Sequence, residues 1–155
     1  MADSTSSLAL VPISPENYQL ALSLSVRPDQ EDLVAPVQKS LADAYVYPDA
    51  RFRLAFLDDI PVGYVLLFPF DSDRGRTVNV VRLMIDQHFQ AQGLGRKLLG
   101  ACLDWIRTFE PAVDVVRIST LPRNHLALAL YESTGFVRSR MEDGEIALYL
   151  DLNRE

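Results

Sequence analysis

The fold turns on Val78-Asn79-Val80-Val81-Arg82-Leu83-Met84-Ile85-Asp86-Gln87-His88-Phe89-Gln90-Ala91-Gln92-Gly93-Leu94-Gly95-Arg96-Lys97-Leu98-Leu99. An apolar, β-prone run, a short polar loop and two glycines lead into residues of helical spacing, so a strand hands its chain directly to a helix N-terminus. The first N–H groups of a helix lack partners within it, and the helix dipole favours negative charge beside them. Such a junction is an anion site, and phosphate is the anion it suits best.

Three readings compete for Gly93 and Gly95. A Walker loop places four residues between its glycines and follows them with Lys-Ser or Lys-Thr; neither feature is present. A dinucleotide fingerprint needs a third glycine three positions after the second, where this chain has Leu98, and Gly100 comes two positions late. The third reading is a strand-to-helix turn that merely contains glycines.

Outward from this stretch, Leu98, Leu99, Cys102, Leu103, Ile106 and Phe109 recur at three and four, predicting a helix over 95–109 that Pro111 ends. A β-branched strand over 113–120 follows. By the handedness of crossovers it runs parallel to the strand before the loop. Asn124 can cap a helix over 127–133 that stops at Gly135, and strands over 136–139 and 145–150 finish the chain. Upstream, 8–13 reads as a strand and Ser14-Pro15 opens a short helix. A second helix covers 33–44. Strands over 51–57 and 62–68 are joined by Asp58-Asp59-Ile60-Pro61. The expected fold class is a mixed α/β (α+β) sheet of about seven strands with four helices.

The 155 residues suffice for one well-cored domain, placed at 8–155, with 1–7 as a flexible N-terminus. No apolar run approaches the ~20 residues of a membrane span, and no signal peptide is evident, so the expected location is cytoplasmic with no membrane partner. Cys102 has no cysteine to pair with and falls on the apolar side of its helix, which makes it packing rather than a nucleophile. A net charge of −6 argues against nucleic acid as a partner and permits a cationic substrate.

Gln90-x-x-Gly93-x-Gly95 before an apolar helix, then Asn124-x-x-Ala127 and Leu130-Tyr131-x-x-x-Gly135-Phe136 after one strand, resembles the GNAT superfamily of acyl-CoA-dependent N-acetyltransferases. The resemblance implies that family's acyltransferase fold, with its central parallel pair splayed apart. It also implies acetyl-CoA, or coenzyme A, as co-substrate, with no metal. Backbone N–H groups of Gln90, Ala91, Gln92, Gly93, Leu94, Gly95, Arg96 and Lys97 would hold the pyrophosphate. The main chain of Leu83, Met84 and Ile85 would pair with the pantetheine arm, and an N–H near Met84 or Ile85 would polarise the thioester oxygen. Asn124 would bind the arm from the other side, or simply cap its helix. Tyr131, two helical turns along, becomes the candidate general acid, or else core packing.

The central strand carries no glutamate, so the base is expected to be a water relay. Asp86 is expected to begin the turn, and His88 and His125 to have surface or capping roles. With no cysteine placed to carry the acyl group, transfer would be direct, in a ternary complex.

Shorter words, Ser25-Val26, Gln30-Glu31-Asp32-Leu33-Val34-Ala35, Ser40-Leu41-Ala42-Asp43-Ala44-Tyr45 and Arg82-Leu83-Met84-Ile85-Asp86, look like the bacterial diamine and spermine/spermidine acetyltransferases. They imply a small amine partner; Glu31 and Asp32 on the acidic connector, with Asp43, either hold its distal ammonium or form an ordinary solvated loop. Tyr45 and Tyr47 would wall that site by cation–π contact or pack beneath the helix. Another amine acceptor and a non-catalytic acyl-CoA sensor stay open as alternatives. The last two strands offer edges for a homodimer.

Overall fold

The computed structural model describes residues 8–153, so the expected flexible tract 1–7 lies outside them. In chain order the elements are β1 (Leu8–Pro12), α1 (Tyr18–Leu22), α2 (Val37–Val46), β2 (Arg51–Leu57), β3 (Ile60–Ser72), β4 (Gly75–Ile85), α3 (Leu94–Phe109), β5 (Val115–Thr120), α4 (His125–Ser133), β6 (Val137–Glu142) and β7 (Glu145–Asp151). Single 3-10 turns at Pro28–Gln30 and Gln87–Phe89 shape the loops before α2 and α3. The seven strands form one mixed sheet in the order β1-β2-β3-β4-β5-β7-β6, in which only β4 and β5 pair in parallel.

Where boundaries differ from expectation, proline and glycine explain the shift. The second helix starts at Val37 rather than at 33, because Pro36 steers Ala35 away from the α region and itself stands in extended backbone as the N-cap. β3 runs through Pro69, which lies past the end of the β2 pairing at Leu67, so its missing N–H interrupts no ladder on that side. β3 and β4 meet in a tight hairpin with Ser72 opposite Gly75. Gly75 has φ +107° there, and a Cβ on it would meet Asp114 Oδ2 at 2.4 Å.

One irregularity opens the sheet. The β3–β4 register slips between Leu66 and Leu67, so that Leu66 faces Arg82, Leu67 faces Val80, and Val81 is the extra residue on β4. Such a bulge bends the strand that carries it. The parallel pairing of β4 with β5 accordingly ends at Val80 and Ile118, and residues 81–85 continue without a β5 partner.

The sheet has two differently covered faces. On one, α3 and α4 bury Leu98, Leu99, Cys102, Ile106 and Leu128 against Val65, Val78, Val80, Val116, Ile118 and Leu148. On the other, Phe52, Leu54, Tyr64, Leu66 and Met84 pack with Ala21, Leu24 and Val37 from the α1–α2 region. Alternation puts Arg117, Ser119, Glu145 and Tyr149 on this second face of β5 and β7, where the side chains turn polar.

Candidate functional site

Beyond Val80 and Ile118 the separated ends of β4 and β5 enclose a cleft of 660 Å³ that reaches both sides of the sheet. Asn124, Ala127, Leu130 and Tyr131 line it from the α4 side. Residues 31–35, Asn79, Arg82, Ser119 and Glu145 line it from the other.

The direction of the β4 main chain here follows from two contacts. Asp86 N–H donates to the Val62 carbonyl at 2.7 Å, so by alternation Met84 also turns its peptide groups to β3. The Met84 carbonyl oxygen comes so near Gly63 that a Cβ there would sit 2.1 Å from it. Leu83 and Ile85 therefore carry the peptide groups facing the opened side, and both line the cleft. Met84 does not; its side chain is buried in the α1–α2 core.

The turn after β4 presents donors. Gln90 Nε2 donates to the Ile85 carbonyl and to Gln30 Oε1, each at 3.0 Å, which pins the turn to its strand and to the loop after α1. Ala91 (φ +64°) and Gly93 (φ +76°) both adopt left-handed backbone, the alternation from which concave N–H nests are made. For Ala91 this conformation costs ~1–2 kcal/mol. A Cβ on Gly93 would meet no protein atom within 4 Å, so open space lies over the turn. Among the described residues the N–H groups of Leu94, Gly95 and Arg96 reach no protein acceptor, whereas that of Lys97 closes the first helical bond to Gly93 at 3.4 Å. Arg96 ties α3 to α4 through Ser133 Oγ at 2.8 Å. The donors fit a pyrophosphate: several N–H groups converge on one unobstructed side at a helix N-terminus.

Opposite this turn, Asn124 Oδ1 accepts the Ala127 N–H at 3.3 Å and caps α4. Its side chain also lines the cleft, so both expected roles are geometrically open. Tyr131 is 7% exposed, with its hydroxyl bonded to no protein group among the described residues. Burial, reinforced by Cys102 and Glu145 nearby, pushes the phenol up to about 12, so it stands protonated and able to donate. Cys102 is fully buried, its thiol pushed up to about 12 by burial, and it is absent from the cleft.

The acceptor residues named from sequence are only partly brought together. Glu31 and Asp32 line the cleft, but Asp32 is paired with Arg123 across its mouth. Asp43 pairs instead with Arg82 at 2.7 Å and Lys39 at 3.3 Å, and the Arg82 hydrogen bond is the chief cause holding its carboxyl below the usual range. Tyr45 is 90% exposed and outside the cleft lining, on the outer side of α2. Tyr47 stands edge-on to Phe68, with ring centroids 6.1 Å apart. Asp86 begins the turn and is also buried, accepting the N–H groups of Ser25 (2.8 Å) and His88 (3.1 Å) and contacting the His88 ring. It thus fastens the loop before α2 to the loop before α3.

The sequence assigns Glu145 no role beyond its strand, and it places Arg82 on the central strand without its partner Asp43. Nothing near Glu145 marks it locally, because its place in the cleft comes from the pairing of β7 with β5.

The sequence pattern described as the acetyltransferase (GNAT) family matches residues 16–136. No protein of curated function matches by sequence. Solved structures do. An acetyltransferase from Thermus thermophilus superposes with a TM-score of 0.70 at 23% identity, covering 94% of this chain and 97% of that one. The PaiA N-acetyltransferase from Thermoplasma acidophilum in complex with coenzyme A gives 0.69 at 12% identity, over 94% and 99%. A GNAT family acetyltransferase from Elizabethkingia anophelis with acetyl-CoA bound gives 0.66 at 20% identity, over 94% and 99%.

Proposed function

The chain belongs to the acetyltransferase (GNAT) family, an N-acetyltransferase using acetyl-CoA, and on that premise we propose that its acceptor is a primary amine of a small cation, a diamine or polyamine. The observation that carries this reading is the cleft through the sheet, lined both by Leu83 and Ile85, whose peptide groups face it, and by the carboxylates of Glu31, Asp32 and Glu145. Two neighbouring folds, from Thermoplasma acidophilum and Elizabethkingia anophelis, hold coenzyme A or acetyl-CoA, which supports the same ligand here.

In this reading the pyrophosphate rests on the turn from Ala91 to Lys97, and the pantetheine arm runs along Leu83 and Ile85 as an added strand. Met84 directs its peptide groups at β3, so the N–H offered to the thioester oxygen is that of Ile85 or Leu83. Asn124 meets the arm from α4, and the Tyr131 hydroxyl lies at the sulfur end. The acceptor amine, as free base, attacks the thioester carbon, forming the C–N bond; the C–S bond then breaks with its electron pair going to sulfur. A phenol near 12 lies roughly three to four pH units above a thiol of ordinary acidity, so Tyr131 first stabilises the forming thiolate by hydrogen bond and delivers its proton as the thiol departs. Transfer is direct, because Cys102 cannot reach the cleft.

The acceptor side supports a cation. Arg123 already takes the charge of Asp32 and Arg82 that of Asp43, whereas Glu31 on the lip carries no ion pair among the described residues. A distal ammonium would complete it. The test is a panel of diamines, spermidine, aminoglycosides and peptides with free N-termini, incubated with acetyl-CoA and read by mass spectrometry. Monoacetylated diamine or polyamine is expected. Modification of peptides or aminoglycosides alone would overturn the acceptor class, and tight coenzyme A binding with no product would favour a sensor.

A further inference from the structure

Glu145 is the first residue of β7 and lies half-buried in the cleft wall opposite α4. Ser119, on the neighbouring strand β5, donates its hydroxyl to Glu145 Oε1 at 2.7 Å. That bond orients the carboxylate and leaves Oε2 with no protein donor among the described residues. Tyr131 lines the same cleft, and the carboxylate acts electrostatically on its phenol. The remaining charged groups around it are accounted for. Glu142, its partner across the β6–β7 turn, takes Arg117 at 3.3 Å, and Arg117 also holds Asn79 at 3.0 Å. Asp143 is exposed in the turn, and Glu31 sits on the lip of the same cleft. On β4 the polar side chains facing the cleft are Asn79 and Arg82, neither of which accepts a proton at ordinary pH.

We propose that Glu145 is the general base that takes the proton from the acceptor nitrogen. The inference rests on the acetyltransferase reading and replaces the water relay expected from sequence with a side chain. The acceptor ammonium loses its first proton to solvent. When the free amine has formed the C–N bond, its nitrogen is positive, and one N–H proton passes to Glu145 Oε2. The C–S bond breaks with its electrons on sulfur, which takes the proton of Tyr131. The proton on Glu145 then restores the Tyr131 phenol. The net result is one proton moved from nitrogen to sulfur and an unchanged enzyme.

Glu145→Gln should lower kcat by ~100-fold or more while leaving the melting temperature and the Kd for acetyl-CoA unchanged. A structural role would not give the second signature: the acid limb of the wild-type kcat profile should vanish in this variant. In Glu145→Ala, added formate should restore part of kcat. Ser119→Ala keeps the base and should retain the limb with a smaller loss of rate. A Glu145→Gln enzyme within about threefold of wild-type kcat at every pH, or changed only in acceptor KM, overturns the base assignment. A wild-type protein that binds acetyl-CoA and acetylates no amine overturns the acetyltransferase reading instead, so the two failures are told apart.

Discussion

On one side of the cleft the groups offered to a ligand are main-chain groups of Leu83 and Ile85, and beyond the strand end the N–H groups of the turn that leads into α3. On the other they are side chains, Glu31, Asp32, Arg82, Ser119 and Glu145, drawn from four separate parts of the chain. The first wall depends on backbone conformation and tolerates most side-chain changes that respect it. The second depends on side-chain chemistry and on the tertiary contacts that bring distant residues together. A cofactor common to many acceptors suits the first, and discrimination between acceptors requires the second.

The largest effect that could break this contrast is at Tyr131, a side chain on the cofactor half. Tyr131→Phe should cut kcat by ~100-fold or more with little change in acetyl-CoA affinity, measured by steady-state kinetics and calorimetry. Unchanged turnover at saturation would return Tyr131 to the core, where its ring also packs 6.1 Å from Phe136.

Next comes the backbone wall itself. Gly93→Val forces a β-branched residue to φ +76° at a cost of ~1–2 kcal/mol, and its side chain fills the space left open over the turn. Acetyl-CoA binding should weaken by at least ~10-fold, whereas Gln92→Ala, which keeps the main chain, should bind almost as the wild type. If the two substitutions weaken binding equally, the wall is not made of main chain.

A smaller change should appear on the acceptor wall. Glu31→Gln should raise KM for a diamine by ~3–5-fold, consistent with one exposed ion pair, and leave acetyl-CoA KM alone. The effect should shrink as salt is added.

The smallest concerns the network beneath the bulge. Arg82 holds the Asp43 carboxyl below its ordinary value, so this pair contributes fully above the unfolded-state value of ~3.9 and is lost as pH falls through the lower folded one. Asp43→Asn should therefore lower the melting temperature by a few degrees at neutral pH. That difference should close on acidification, as differential scanning calorimetry would show.

Local sequence carried a large part of this molecule. The apolar stripe of α3, the left-handed Gly93 before it, Asn124 as cap and Gly135 as stop act within a few residues of themselves, and the sequence pattern records such effects directly. The parallel pairing of β4 with β5 followed from crossover handedness. Side-chain partners were less legible: Tyr45 shares a helix with core residues yet points outward, and Asp43 faces Arg82 rather than a substrate.

Tertiary structure alone decided three matters. The bulge at Val81 is a mismatch between two strands, so neither strand's sequence records it, yet it ends the β4–β5 pairing and opens the cleft. The direction of the Met84 peptide depends on its register with Tyr64 on β3. Glu145 reaches Ser119 because β7 pairs with β5 across a sequence separation of 26 residues. Sequence determined the main elements and the glycine turn that leads into α3, since their causes lie within a turn or two of chain. The acceptor wall came from register and strand order, which depend on contacts between residues far apart in the chain.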